Sequence, residues 1–116
     1  MNRNLTNPPL MELDQSSFDP TIQNGVVLVD FWAPWCGPCH MQTPILQDLA
    51  RRTGALAMIA KVNVDDVPEL AERFGIRSIP TLILFRSGQP VRQFVGVQPE
   101  ATLAKAMLAA AGEQSS

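Results

Sequence analysis

Three short apolar runs constrain the fold of this chain more than any other feature of its sequence. They read VVLVDF at 26–31, AMIAKV at 57–62 and TLILF at 81–85. Continuous runs of this kind are typical of strands buried on both faces, which occur in sheets covered by helices on either side. The sequence therefore predicts an α/β protein with a central sheet.

The segments between these runs have the pattern of helices. In the segment 36–52, Met41, Ile45 and Leu49 recur at i, i+4 and i+8, which predicts that these three side chains form one buried face. Pro44 lies inside this segment and is expected to kink the helix. Gly and Ser at 87–88 predict a turn between the third run and a return strand.

The complete predicted order is β-α-β-α-β-α-β-β-α. Alternating strands and helices indicate a parallel core, and the final pair of strands adds an antiparallel hairpin, so the sheet is mixed with helices on both faces. A length of 116 residues fits one domain. We expect a flexible tail at 1–9, the folded domain at 10–112 and a short tail at 113–116.

Composition excludes several classes of function. The net charge is −2 and no basic run is present, which argues against a nucleic-acid surface. The apolar runs are too short to cross a membrane. The first residues contain no apolar segment of a signal peptide, so we expect a cytoplasmic protein. We also expect it to be a monomer. Two Cys and one His are fewer ligands than a structural zinc site usually needs, so no metal is expected.

Both cysteines lie in the stretch WCGPCH at 35–40. C-x-x-C in this context indicates a redox dithiol, whereas C-x-x-C-H is also the attachment motif of a c-type haem. Cys36 follows a buried strand and begins a helix, where the positive end of the helix dipole favours a thiolate. Cys36 is thus the expected nucleophile and Cys39 the resolving thiol, with Gly37 and Pro38 forming the loop between them.

Two alternatives to redox chemistry remain at this motif. A purely structural disulfide would close a loop of four residues, which contributes only about 2 kcal/mol by chain entropy. Haem attachment would require export and a large apolar pocket. It would also leave Asp30 and Pro44 without an explanation.

Asp30 is the most informative residue outside the motif because it interrupts a run that should be buried. Burial raises the pKa of a carboxyl, which would make Asp30 an acid/base able to take the proton of Cys39. The alternative is that Asp30 faces solvent at the strand end. Lys61 is either its partner or a surface lysine, and Trp35 is either a wall beside the thiols or a half-buried aromatic residue.

The stretches VDFWAPWCGPCH, AKVNVD and SIPT together resemble the thioredoxin family, over residues 10–111. The resemblance implies the thioredoxin fold and a protein-disulfide reductase that cycles between a Cys36–Cys39 dithiol and disulfide. It also implies a cis peptide at Ile79–Pro80 facing the thiols. The resemblance implies that Asp30 and Lys61 form a buried proton relay and that Trp32 packs beneath the site. It also implies an apolar substrate rim formed by Trp35, Ile79, Gly96 and Val97.

The resemblance also implies the partners: disulfide-containing client proteins and a flavoprotein thioredoxin reductase that uses NADPH. It implies no bound cofactor besides the redox-active disulfide. His40 stands where many members of the family carry Lys, so it is either a modulator of the thiolate pKa or a solvated helix residue. A disulfide oxidase or isomerase, and a redox-independent binding or chaperone module, remain as alternatives.

Overall fold

The computed structural model describes residues 10–54 and 57–113. Its elements follow the predicted order: β1 (Met11–Glu12), α1 (Phe18–Ile22), β2 (Val26–Trp32), α2 (Gly37–Thr53), β3 (Met58–Asn63), α3 (Pro68–Arg73), β4 (Thr81–Arg86), β5 (Gln89–Val95) and α4 (Glu100–Glu113). The predicted tail at 1–9 and residues 114–116 lie outside the described residues. Helix α4 continues one residue past the predicted domain end at 112.

The five strands form one mixed sheet in the order β1-β3-β2-β4-β5. Strands β1 and β2 both pair with β3 in parallel. Strand β4 pairs antiparallel with β2 on one side and with β5 on the other. The predicted mixed sheet with a C-terminal antiparallel hairpin is confirmed.

Helices cover both faces of the sheet. Successive side chains of β2 point to opposite sides, so this strand contributes to the packing on both faces. Val27, Val29 and Phe31 pack on one side, which we call the aromatic face, in a cluster with side chains of α1 and α3. Val26 and Leu28 pack on the other side, the α2–α4 face, with side chains of those two helices. A strand buried in this way on both sides needs the continuous apolar run seen in the sequence.

Of the three residues predicted to form the buried face of α2, Leu49 is buried, Ile45 is half-buried and the prediction for Met41 was wrong. Met41 is exposed over 64% of its surface. The buried residues of α2 are Cys39, Gln42, Leu46 and Leu49, which follow the helical spacing of i, i+3, i+7 and i+10. With these four residues turned inward, Met41 points outward. Helix α2 continues through Pro44 as one element, and the kink there stays a prediction.

The outer strands differ in length. Strand β1 has two residues, whereas β5 has seven and includes Pro90 and Arg92. The pairing of β4 with β5 shifts register between Leu84 and Phe85. Within the two described ranges, no helix has the length and apolar character required to cross a membrane.

Candidate active site

A disulfide joins Cys36 and Cys39 at the beginning of α2. Cys36 is the N-cap residue in an extended conformation, and its Sγ accepts a hydrogen bond from the Cys39 N–H at 3.2 Å. Gly37 and Pro38 form the first two positions of the helix. The Cys36 side chain is 5% exposed and that of Cys39 is 1% exposed, so Cys36 is the more accessible of the two sulfurs.

The Ile79–Pro80 peptide bond is cis and lies against this disulfide. The carbonyl oxygen of Ile79 is 3.7 Å from Cys36 Sγ. The Gly96 N–H donates to the Pro80 carbonyl oxygen at 2.8 Å, which joins this turn to the end of β5. Among the hydrogen bonds of the described residues, none involves the backbone N–H of Ile79. The structure thus brings together the disulfide, Ile79, Pro80 and Gly96.

Trp35 stands beside the disulfide with 70% of its surface exposed, so the half-buried alternative was wrong. Its Nε1 donates to Asp65 Oδ2 at 3.0 Å. Asp65 is in turn oriented by its own N–H, which donates to Asn63 Oδ1 at 2.9 Å. An exposed indole held in this way offers a fixed apolar surface. A hollow of about 190 Å³ separates Trp35 from the Ile79 turn.

Gln42 was missed at the level of the sequence, and it links α2 to the rim. It is fully buried. Its Nε2 donates to the Gln98 carbonyl oxygen at 3.1 Å, and its Oε1 accepts from the Gln98 N–H at 2.7 Å. Gln98 Nε2 also donates to the Gly96 carbonyl oxygen at 3.2 Å. These bonds fix the segment that contains Gly96 and Val97. The available signal was the position of Gln42 three residues after Cys39.

Asp30 is fully buried on β2, so the solvent-facing alternative was wrong. Neither carboxylate oxygen has a hydrogen-bond partner among the described residues. Burial raises the pKa of Asp30 from 3.8 to about 7, while Lys61 opposes the rise and Glu12 adds to it. A carboxyl with this pKa gains and loses a proton near neutrality.

Lys61 is buried on β3 with 9% of its surface exposed, so the alternative of a surface lysine was wrong. Its Nζ donates to Thr43 Oγ1 at 3.2 Å and lies 4.0 Å from the centre of the Trp32 ring. No ion pair joins it to Asp30 within the described part of the chain. Lys61 therefore acts on Asp30 through its charge and not through a hydrogen bond.

Trp32 and His40 lie on the same side of the motif as Lys61. Trp32 Nε1 donates to Glu12 Oε2 at 3.0 Å. The His40 ring packs edge-on against Trp32 with centroids 6.3 Å apart. His40 Nε2 is 2.6 Å from the Pro34 carbonyl oxygen, and since a carbonyl only accepts, Nε2 carries a proton. His40 is thus tethered to the loop before Cys36.

The described ranges contain no group of three or more His, Cys, Asp or Glu side chains that could hold a metal ion. The redox centre that the structure does contain is the Cys36–Cys39 disulfide.

Comparison with known proteins gives one consistent result. The thioredoxin family model matches residues 9–109. A thioredoxin of Staphylococcus haemolyticus is 48% identical over 98 residues, covering 84% of this chain and 94% of the relative. A thioredoxin of Alicyclobacillus acidocaldarius is 50% identical over 94 residues, covering 80% of this chain and 90% of the relative. A solved mutant thioredoxin of Halobacterium salinarum superimposes with a TM-score of 0.81 at 40% identity, covering 90% of this chain and 92% of that one.

Proposed function

The chain belongs to the thioredoxin family and is a thiol–disulfide oxidoreductase, and we propose that it works in the reducing direction with Cys36 as the attacking thiol. The observation that supports Cys36 as the attacking thiol is the position of the two sulfurs. Cys36 caps α2 and is the more exposed, while Cys39 lies one turn inside the helix. The positive end of the helix dipole favours a thiolate at Cys36.

In the proposed cycle, the Cys36 thiolate attacks one sulfur of a substrate disulfide. A mixed disulfide forms and the other substrate sulfur leaves as a thiolate. Cys39 then loses its proton and attacks Cys36 Sγ, which releases the second substrate thiolate and forms the Cys36–Cys39 disulfide. Two electrons have passed from the protein to the substrate.

Asp30 is proposed to accept the proton of Cys39 in the second step, with Lys61 adjusting its charge. The burial of Asp30 and its pKa of about 7 support this role, because a base must be ionised for part of the time at the working pH. Trp32 and Pro44 are proposed to support the site structurally, and His40 to adjust the charge near the thiols.

The substrate is proposed to lie along an apolar rim formed by Trp35, Ile79, Pro80, Gly96 and Val97. This location is supported by the exposed indole of Trp35 and by the N–H of Ile79, which has no hydrogen-bond partner among the described residues. An extended substrate segment could pair with the Ile79 backbone by strand addition. A Cβ at Gly37 would meet no atom within 4 Å, so the segment also has room beside the disulfide.

The proposed partners are disulfide-containing client proteins and a flavoprotein thioredoxin reductase that uses NADPH. Family membership supports both. A second solved structure of similar fold has a TM-score of 0.79 and 25% identity. It concerns the structural basis of the thiol resolving mechanism in yeast mitochondrial 1-Cys peroxiredoxin via glutathione/thioredoxin systems. We further propose that this chain works as a cytoplasmic monomer, with no nucleic acid, membrane or bound cofactor involved.

The assignment of the two sulfurs is tested by trapping. Incubated with a disulfide-bonded model protein, Cys39→Ser should accumulate a covalent adduct through Cys36, whereas Cys36→Ser should form none. Peptide mass spectrometry identifies the linked residue. An adduct through Cys39 in the Cys36→Ser variant, with none in Cys39→Ser, would reverse the roles.

The direction of the reaction is tested by the reduction potential of the Cys36–Cys39 pair, measured by thiol trapping in defined dithiol buffers. A value near or below about −250 mV is expected of a reductase, and one above about −180 mV would indicate an oxidase or isomerase. A double Cys→Ser variant that keeps full biological activity would instead indicate a redox-independent binding module.

A further inference from the structure

Lys61 lies in register between two carboxylates of the sheet. Its Cα pairs with that of Glu12 on β1 and with that of Asp30 on β2. Residues opposite each other on neighbouring parallel strands point to the same face, so the Lys61 side chain can reach either carboxylate. An ion pair with the buried Asp30 is the arrangement that Coulomb attraction alone would select.

The observed contacts of Lys61 are different. Its Nζ donates to the hydroxyl of Thr43 and lies over the face of Trp32. Both oxygens of Asp30 are without a hydrogen-bond partner among the described residues. The ammonium is therefore held by a neutral hydroxyl and an aromatic ring, although a buried carboxyl stands on the adjacent strand.

Thr43 can perform this task because of its place on α2. It lies one helical turn after Cys39, and its Oγ1 donates to the Cys39 carbonyl oxygen at 3.3 Å. A hydroxyl has one proton to donate and lone pairs to accept, so the same oxygen can receive the Lys61 N–H. The bond to Cys39 orients the acceptor, and that orientation fixes the ammonium.

We propose that Thr43 is a positioning residue that holds the Lys61 ammonium away from the Asp30 carboxyl and thereby sets the pH range in which Asp30 exchanges a proton. The kinetic part of this inference rests on the proposed role of Asp30 as acceptor of the Cys39 proton. Direct contact with Lys61 would favour the ionised carboxylate, which would be a weaker base.

In the described part of the chain, Lys61 is the cation that acts on Asp30 and can move toward it. Glu12 from β1 is an acid and acts against ionisation of Asp30. On β4 the residue opposite Asp30 is the apolar Leu82. Helix α2 contributes Cys39, uncharged in the disulfide, and His40, which is tethered to the Pro34 carbonyl oxygen.

On α4, the residues buried against this side of the sheet are apolar. They are Leu103, Ala106, Met107 and Ala110.

The test compares Thr43→Val with Thr43→Ser in the full-length oxidised protein. Valine keeps the branched shape and removes the hydroxyl, whereas serine keeps the hydroxyl. The titration of the Asp30 carboxyl is followed by carbon NMR. We expect the midpoint in Thr43→Val to fall by about 1 pH unit as Lys61 moves to Asp30, and the midpoint in Thr43→Ser to stay near that of the wild type.

A coupling test shows whether Thr43 acts through Lys61. Lys61→Met should raise the Asp30 midpoint, and adding Thr43→Val to Lys61→Met should change it no further. An unchanged or raised midpoint in Thr43→Val would overturn the proposal, as would an equal shift in the Lys61→Met background. If Thr43→Val does not fold, Thr43→Ala serves in both comparisons with the same expected outcomes.

The rate at which Cys39 resolves a preformed mixed disulfide, measured against pH, separates this proposal from the proposed function. A parallel shift of the NMR midpoint and of the rate profile supports the placement of Lys61 by Thr43 and also the role of Asp30 as proton acceptor. A shift of the NMR midpoint with an unchanged rate profile supports the placement of Lys61 by Thr43 and removes Asp30 from the proton transfer.

Discussion

The two faces of the sheet are built from different kinds of side chain. On the aromatic face, four rings contact one another, with Phe18 at 5.5 Å from Phe74, 5.7 Å from Phe85 and 6.5 Å from Phe31 between centroids. On the α2–α4 face, apolar packing gives way near the disulfide to the buried polar side chains of Asp30, Lys61 and Gln42. Strand β2 supplies both faces, since Phe31 and Asp30 are neighbours in the chain.

This difference shows where the fold can tolerate an energetically unfavourable group. A buried carboxyl such as that of Asp30, which has no hydrogen-bond partner among the described residues, reduces stability. It lies on β2, the strand that precedes the loop to Cys36. The aromatic face buries large apolar surfaces, which contribute stability without taking part in the chemistry. If this division holds, substitutions on the two faces should separate stability from activity.

The largest expected effect on stability is that of Phe18→Ala. Phe18 is fully buried and contacts three other rings, so its removal should cost about 3 to 5 kcal/mol in the free energy of unfolding. Urea unfolding measures this loss, and Phe18→Leu is the milder control. The reduction potential of the folded protein should stay within error of the wild type. A clear change in the potential would show that the faces are not independent.

Asp30→Leu should change the dependence of stability on pH. Because the pKa of Asp30 is raised in the folded protein, the folded state keeps a proton that the unfolded chain releases between about pH 4 and pH 7. Stability therefore falls as pH rises through this window and falls no further above it. From pH 5 to pH 9 the wild type should lose about 3 kcal/mol relative to the variant. Urea unfolding at the two pH values measures the free energy of unfolding of both proteins. An equal change in this free energy for the wild type and the variant would contradict the prediction.

Gln42→Met should affect both stability and substrate binding. The variant leaves the N–H and carbonyl of Gln98 without their partners, which should cost about 1 to 3 kcal/mol. The rim segment would then be less ordered, so we expect a higher KM for a protein disulfide with little change in kcat. Gln98→Ala keeps both bonds to Gln42 but removes the side-chain bonds of Gln98 to the Val95 and Gly96 carbonyl oxygens, so it measures their separate contribution. A change in kcat alone would argue against a role at the rim.

The smallest expected effect is that of Asp19→Asn, on the outer side of the aromatic face. Asp19 forms a two-pronged ion pair with Arg73, but both side chains are about half exposed. Such pairs contribute about 0 to 1 kcal/mol. Arg73 lowers the pKa of Asp19 by its hydrogen bond, so the small contribution should disappear as pH falls below the normal range of Asp. Salt titration of the unfolding midpoint measures the effect.

The sequence predicts the buried strands and the order of elements better than it predicts the polar part of the site. Runs such as 26–31 determine a buried strand by their composition alone. Cys36 at the start of α2 also followed from local pattern. These features depend on neighbours in the chain, which a single sequence displays directly.

The failures concern side chains whose partners are distant in the chain. Met41 was assigned to the core because its spacing fits a helix, but the rotation of α2 depends on which of its side chains pack against the rest of the fold. Lys61 contacts Thr43 and Trp32, and Gln42 contacts a backbone segment 56 residues away. Long polar side chains can reach several partners, and only the assembled sheet and helices decide among them.

The outer strand β5 has a consequence for association between copies of the protein. An unpaired strand edge can template addition of another strand and lead to aggregation. Pro90 offers no N–H to such a strand, Arg92 places a charge there, and the shifted register of β4 and β5 disturbs the regular edge. Copies of the chain are thereby discouraged from joining edge to edge, which leaves the Ile79 turn as the place where we propose that an extended peptide pairs.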